Sequence, residues 1–196
     1  IETGIYKYPT TEALVLGRED VEGDQVVDRR YHGGIDQACY CYAADHYAVW
    51  KAKYPNLSWN WGMFGENLTV EGMDEASVFV GDVYQLGSAQ VQVTKPRQPC
   101  FKLGIRFGTQ QIVKDFVEAP YPGVYLKVLE VGKVSVGDEF QLLSRIENSV
   151  SILEVYELLF RKEADAEVVE RALNSTLISG SSRATIQRKW GNLLDT

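Results

Sequence analysis

The sequence has no run of about 18 consecutive apolar residues, which excludes a membrane-spanning helix. It is poor in cysteine. With 3 thiols in 196 residues the count is odd and closes no disulfide framework. Thiols in a reducing compartment, the cytoplasm, are the default expectation. No signal-peptide pattern opens the chain. Positive charge is not in excess: 20 Lys and Arg stand against 27 Asp and Glu, a net charge of −7. That balance argues against a binder of nucleic-acid backbone. No Gly-x-Gly-x-x-Gly fingerprint and no flavin motif appears. Aromatics, by contrast, are ample, with 11 Tyr, 7 Phe and 4 Trp, too many for a disordered chain. The length fits one domain plus a remainder.

The first ~145 residues read as β-rich and the remainder as helical. Ala89-Gln90-Val91-Gln92-Val93-Thr94 alternates strictly, placing Ala89, Val91 and Val93 on one face of a strand. Val124 to Leu129 is mostly apolar and reads as a strand buried on both faces. Val83–Leu86 and Glu139–Leu143 are further strand candidates. Val80-Gly81-Asp82-Val83-Tyr84-Gln85-Leu86 resembles Val136-Gly137-Asp138-Glu139-Phe140-Gln141-Leu142, each a Gly-Asp turn feeding a strand. Short strands joined by glycine turns suggest a closed or nearly closed barrel. Two helices interrupt it. One carries Ala43, Tyr47, Trp50 and Tyr54 on a face. The other carries Ile112, Val113, Phe116 and Val117, with Thr109 as N-cap and Pro120 and Pro122 beyond its end. From Ser149 onward three helices are expected: one opened by a Ser151/Glu154 capping box, one after Asp165, and one from about Ser181 to Trp190. The expected fold is mainly β, a β-barrel with interspersed helices and a small C-terminal three-helix appendage. The boundary is expected between residues 1–147 and residues 148–196, with the appendage docked on the barrel.

Chemistry is best sought at Lys95-Pro96-Arg97-Gln98-Pro99-Cys100, where two prolines take the chain out of a sheet as a stiff loop. From Lys95 to Lys114 there are five basic residues (Lys95, Arg97, Lys102, Arg106, Lys114) and no acidic one. Lowering a thiol pKa from about 8.5 to about 6.5 needs about 2.7 kcal/mol. One cation at about 4 Å supplies up to about 4 kcal/mol at an effective dielectric near 20. A neighbour such as Arg97 or Lys102 therefore suffices to make Cys100 a thiolate, hence a nucleophile or a soft-metal ligand. A second constellation is Asp28-Arg29-Arg30-Tyr31-His32-Gly33-Gly34-Ile35-Asp36. Its arginines can hold a phosphate or carboxylate, and Gly33-Gly34 lets backbone N–H groups approach an anion. An acyl-transfer reading would need Cys100 as nucleophile, because no nucleophile-elbow Ser is present here. Cys39-x-Cys41 with His32 and His46 could imitate a zinc site, but one Cys-x-Cys without a second pair is a weak metal signal. Small buried core residues are the simpler reading of Cys39 and Cys41. Met63-Phe64-Gly65-Glu66-Asn67-Leu68 is a glycine-containing loop entering a strand, where Asn67 can turn the chain or bind a ligand edge.

Taken in order, Asp28 to Ala38, Phe64-Gly65-Glu66-Asn67-Leu68, Val80-Gly81-Asp82 and Pro96-Arg97-Gln98-Pro99-Cys100 resemble the MOSC family, the domain named after the C-terminal part of molybdenum-cofactor sulfurases. The helical tail is similar to the extension of stand-alone bacterial members that reduce N-hydroxylated purines. The resemblance implies a β-barrel-like fold that binds the molybdenum cofactor (molybdopterin), with Cys100 as the protein ligand to molybdenum. It implies Arg29, Arg30, Arg97 and Lys102 as charge partners of that anionic cofactor, and His32, Gly33, Gly34, Asp36 and Asn67 as pocket residues. Cys100 and His32 are the expected catalytic pair. The implied activity is reduction of N-hydroxylated base analogues and amidoximes to amines. Electrons are expected from a separate flavin- or haem-containing reductase, docked on the tail or on the acidic surface. The alternatives are a molybdenum-cofactor carrier, a sulfur-transfer protein using a Cys100 persulfide, and a relative that keeps only the fold. No pyridoxal phosphate is expected, because the sulfurase domain that carries it does not fit in 196 residues. Arg97 and Cys100 are expected to face one basic cavity with His32.

Overall fold

Period-two burial builds the centre of the molecule. In the computed structural model, which describes residues 3–24 and 34–194, the strand β5 (Ala89–Pro96) buries Ala89, Val91 and Val93 as the alternation requires. It lies between β4 (Val83–Leu86) and β6 (Val124–Glu130), antiparallel to both. With β2 (Cys39–Ala43), β3 (Leu68–Val70) and β8 (Phe140–Ser144) these form a six-stranded sheet of order β3-β2-β6-β5-β4-β8. Among the described residues only the β2–β3 pair is parallel. The sheet curls into a half-barrel, the form taken by the expected barrel. A two-stranded sheet joins β1 (Leu14–Leu16) to β7 (Gly132–Val134). The two Gly-Asp segments that resemble each other are antiparallel partners, with Leu86 opposite Phe140 and Gln85 opposite Gln141. Gly81 and Gly137 both carry φ near +90° (92° and 93°), the backbone that this turn demands of glycine.

One expectation for the strands needs correction. β6 is buried on one face only: Val124, Leu126 and Val128 are buried, while Tyr125, Lys127 and Leu129 are half-buried. The strand buried on both faces is β2. Its Cys39 and Cys41 enter an aliphatic cluster with Val91, Val93, Val124 and Leu126. Its Tyr40 and Tyr42 enter an aromatic cluster with Tyr47, Trp50, Phe64, Phe107 and Phe116. β2 therefore divides two cores.

Six α-helices surround the sheets among the described residues. Helix α1 (Tyr47–Lys53) buries Tyr47 and Trp50, while Ala43 closes β2 and Tyr54 caps the helix end. Helix α2 (Phe101–Phe107) was not expected, since the prolines suggested a loop through this region. Helix α3 (Gln111–Glu118) is capped by Gln110 instead of Thr109, although the Gln111 N–H donates to Thr109 Oγ1 at 3.2 Å. Helix α4 (Ile152–Phe160) opens with the capping box: Glu154 N–H donates to Ser151 Oγ and Ser151 N–H to the Glu154 carboxylate. Helices α5 (Ala166–Asn174) and α6 (Gly180–Trp190) follow, with Asp165 and Ser179 as their caps. Ile152, Val155, Leu158, Val169, Ala172 and Ile186 of these three helices join the same aliphatic cluster as the sheet.

Candidate functional site

The proline-braced segment ends β5 at one end of the sheet. Lys95 pairs with Tyr125 across to β6, Pro96 with Val124, and the register shifts between Val93 and Lys95. Just beyond this irregularity the Arg97 side chain lies against the rings of the aromatic core. Arg97 is only 7 % exposed. It donates to the Phe64 carbonyl and sits 5.0 Å from the Tyr40 ring centroid and 5.6 Å from that of Phe116. Among the described residues no carboxylate forms an ion pair with it. Burial alone would pull the guanidinium down, but Tyr40, Tyr125 and Cys100 outweigh it and leave Arg97 above the usual arginine range. An isolated buried cation is costly unless something anionic meets it.

Three residues on, Cys100 is partly exposed and occupies the N-cap position of α2 in extended backbone. Its carbonyl accepts from Leu103 N–H at 3.0 Å. The thiol is thus out of the packed core and electrostatically coupled to Arg97 and Tyr125. Burial pushes the Tyr125 phenol up; Arg97 pulls it down, and Cys100 and Asp24 push it up again. Tyr40 is raised further by burial, against the pull of Arg97, and its hydroxyl donates to the Pro122 carbonyl at 2.8 Å. Both phenols are therefore neutral at pH 7. Lys95 adds a second cation: burial pulls its ammonium below the usual lysine range, and Asp36 pulls it partly back.

The other expected residues fall in different places. Asp36 lies exposed in a 3₁₀ turn (Ile35–Gln37), tied to β5 because Thr94 Oγ1 donates to its carbonyl at 2.7 Å. Gly34 precedes that turn at φ 87°, and its N–H donates to the Glu19 carbonyl at 3.1 Å. Asn67 is occupied with the chain: its Oδ1 accepts from Tyr40 N–H at 3.0 Å and its Nδ2 donates to Asp24 at 2.8 Å. Asp24 also pairs with Lys7 at 2.7 Å. Lys102 is partly exposed on the first turn of α2. Arg29, Arg30, His32 and Gly33 lie outside the described residues. The five-cation run is not one patch. Arg97 is buried, Arg106 stacks over Tyr6 and Tyr8 at 4.8 and 5.5 Å, and Lys114 is exposed on α3. His46 is bound to Glu75 at 2.9 Å and stacked on Tyr121, away from Cys39 and Cys41, which are core. Among the described residues no group of three potential ligands could hold a metal ion.

Sequence reasoning missed the aromatic lining, Tyr40 and Tyr125, and the carboxylate of Glu66. The signal for the tyrosines was Tyr40 and Tyr42 alternating with the two cysteines, which marks opposite faces of one strand. A partly exposed thiol, a buried unpaired cation and a half-buried lysine at one sheet end can together hold an anionic ligand that also offers a soft metal.

A family profile described as the MOSC domain matches residues 28–141. An uncharacterized Bacillus subtilis protein, YflK, is 41% identical over 194 residues, covering 99% of this chain and 87% of its own length. A Gibberella moniliformis protein named as a reductase is 33% identical over 162 residues. That match covers 81% of this chain but 29% of the fungal protein's length. Among solved structures, YiiM from Geobacillus stearothermophilus superposes with a TM-score of 0.81 at 29% identity, covering 96% of this chain and 89% of that one.

Proposed function

This chain belongs to the MOSC domain family, and from that premise we propose that it is a molybdenum-cofactor-dependent oxidoreductase that reduces N-hydroxylated compounds to amines. The family's cofactor is anionic at its dithiolene and its terminal phosphate, and the residues present fit it. Cys100 supplies a thiol outside the core. Arg97 supplies a buried charge with no carboxylate partner among the described residues, and Lys95 an ammonium that burial disfavours and an anion would restore. The observation that carries the proposal is this juxtaposition of Cys100 with the unpaired Arg97. The fungal relative named as a reductase supports the oxidoreductase class.

When bound, the cofactor supplies two-electron redox chemistry at molybdenum. Cys100 holds the metal as the protein ligand. Arg97 and Lys95 neutralise the anionic ligand, with Lys102, Arg29 and Arg30 as further candidates for its charge. Tyr125, neutral and half-buried beside Arg97 and Cys100, presents a proton donor at its hydroxyl. His32 and Asp36 are candidates to carry protons to the departing oxygen of a flat N-hydroxylated base or an amidoxime. Two electrons and two protons convert each N–OH to N–H and water, so the chain needs an external donor of electrons, a flavin- or haem-containing reductase.

The test is to purify the protein from a host able to make the cofactor, then measure molybdenum per chain and turnover of 6-N-hydroxylaminopurine with a chemical electron donor. Metal near one per chain with turnover supports the reductase, and Cys100→Ser should then abolish turnover. Full turnover in Cys100→Ser would remove the ligand assignment. Metal without turnover indicates a carrier, and cyanide-labile sulfur on Cys100 without metal indicates sulfur transfer.

A further inference from the structure

The loop between α1 and β3 is built around a buried carboxylate that the proposed chemistry does not use. Glu66 is 3 % exposed. Its Oε1 accepts from Gly62 N–H at 2.9 Å, from Thr69 Oγ1 at 3.0 Å and from the Tyr47 hydroxyl. Its Oε2 accepts from Phe64 N–H at 3.0 Å. Met63 N–H donates in turn to the Tyr47 oxygen at 3.1 Å. Gly62 and Gly65, at φ 85° and 76°, supply the turn that wraps the chain about its own side chain. Burial and Glu66 both push the Tyr47 phenol up, so it remains a donor.

This network ends on Arg97. The N–H of Phe64 is fixed by Glu66, and the carbonyl of the same Phe64 receives the Arg97 guanidinium. Two opposite charges, both nearly sealed from water, thus lie on either side of one residue without touching. A direct Glu66–Arg97 pair would neutralise the cation. Separation by the backbone lets Glu66 offset the cost of burying Arg97 while leaving its charge for a ligand. We propose that Glu66 is a positioning residue that, through Phe64, holds Arg97 oriented for the anionic cofactor. The proposal rests on the reading of Arg97 as a cofactor partner.

The experiment compares wild type, Glu66→Gln, Arg97→Met and the double variant, each as the full chain from a cofactor-producing host. It reads molybdenum per folded chain and the side-chain ¹⁵N–¹H signal of Arg97. Glu66→Gln should lower metal content about tenfold and shift the Arg97 signal. The double variant should be no worse than Arg97→Met alone, because both act through one guanidinium. A purely structural role for Glu66 would add its loss to that of Arg97→Met, and would overturn the inference. Wild-type metal content and an unmoved Arg97 signal in Glu66→Gln would also overturn it, with the cofactor reading intact. Full metal content in Arg97→Met would remove that reading itself, independently of Glu66. Where Glu66→Gln does not fold, Thr69→Val decides by the same signal: a shift supports the proposal and an unmoved resonance ends it.

Discussion

The two faces of β2 differ in kind. On one side Cys39 and Cys41 pack among Val91, Val93, Leu126, Ile152 and Val155, a region whose cohesion is aliphatic area removed from water. On the other, Tyr40 and Tyr42 pack among Trp50, Phe64 and Phe116, and the same region encloses Arg97 and Glu66. Tyr42 and Phe64 stack at 4.2 Å, and the Trp50 indole N–H donates to the Tyr42 hydroxyl at 2.7 Å. Aromatic side chains suit this task because they bury large area, tolerate a cation over their faces and offer polar ends to buried groups. The aliphatic face stabilises the fold; the aromatic face spends part of its burial on holding charge. A core guanidinium with no carboxylate partner among the described residues works against stability, which is the pattern expected where a ligand is to be held.

The contrast breaks most visibly on the aliphatic side. Leu126 is 2 % exposed and lies opposite both Cys39 and Val93. Leu126→Ala should cost about 2–5 kcal/mol in denaturant unfolding, while molybdenum per folded chain stays at the wild-type value. A fall in metal content proportionate to the lost stability would show that the two faces are not separable.

Much of this arrangement was written in local pattern. Ala89, Val91 and Val93 announce their strand, Ser151 and Glu154 announce α4, and the Pro-Arg-x-Pro-Cys segment marks the candidate site. Helix α2 was not legible for a physical reason. Phe101, Leu103, Ile105 and Phe107 alternate with period two, Gly104 interrupts, and local propensity disfavours a helix. Tertiary contact decides it: the missing Cβ of Gly104 lets the Gln110 side chain close on the helix, where Nε2 donates to the Phe101 carbonyl at 3.1 Å. Arg97 was read from sequence as a cofactor charge partner facing a basic cavity with Cys100, but charge counting could not show that it would be buried among aromatic rings. The register shift in β5–β6 pairing that precedes it is a property of the sheet, not of its neighbours in the chain.

A smaller effect tests the helical tail against the sheet. Ser151 caps α4 and faces Phe79 in an isolated bridge. Ser151→Ala should cost about 1 kcal/mol, again on the aliphatic side and again without loss of metal. Arg97→Met sharpens the comparison from the other direction. It removes the burial cost of a charge, and it gives up contacts to Tyr40 and Phe116 and leaves the Phe64 carbonyl without its donor. These effects offset to within about 1 kcal/mol in unfolding, yet metal content should fall about tenfold, to a level still measurable. A loss of several kcal/mol would make Arg97 a structural residue first.

The smallest effect lies at the rim of the aromatic side. Asp115 is 6 % exposed on α3 and accepts from Gln111 at 2.9 Å, from the Tyr54 hydroxyl and from Lys53 at 3.0 Å. Burial pushes its carboxyl up, but the hydrogen bonds from Tyr54, Gln111 and Lys53 and the Lys53 charge outweigh it, leaving the carboxyl below the usual aspartate range. A carboxylate whose pKa is lower folded than unfolded contributes stability that is complete above the unfolded value, about 3.9, and is lost as pH falls through the folded one. The melting temperature should therefore decline below about pH 4, and Asp115→Asn should flatten that acid limb while lowering stability at neutral pH. An acid limb of unchanged steepness in Asp115→Asn would assign the acid sensitivity to other carboxylates, and the aromatic face would then owe its pH dependence to groups deeper than its rim.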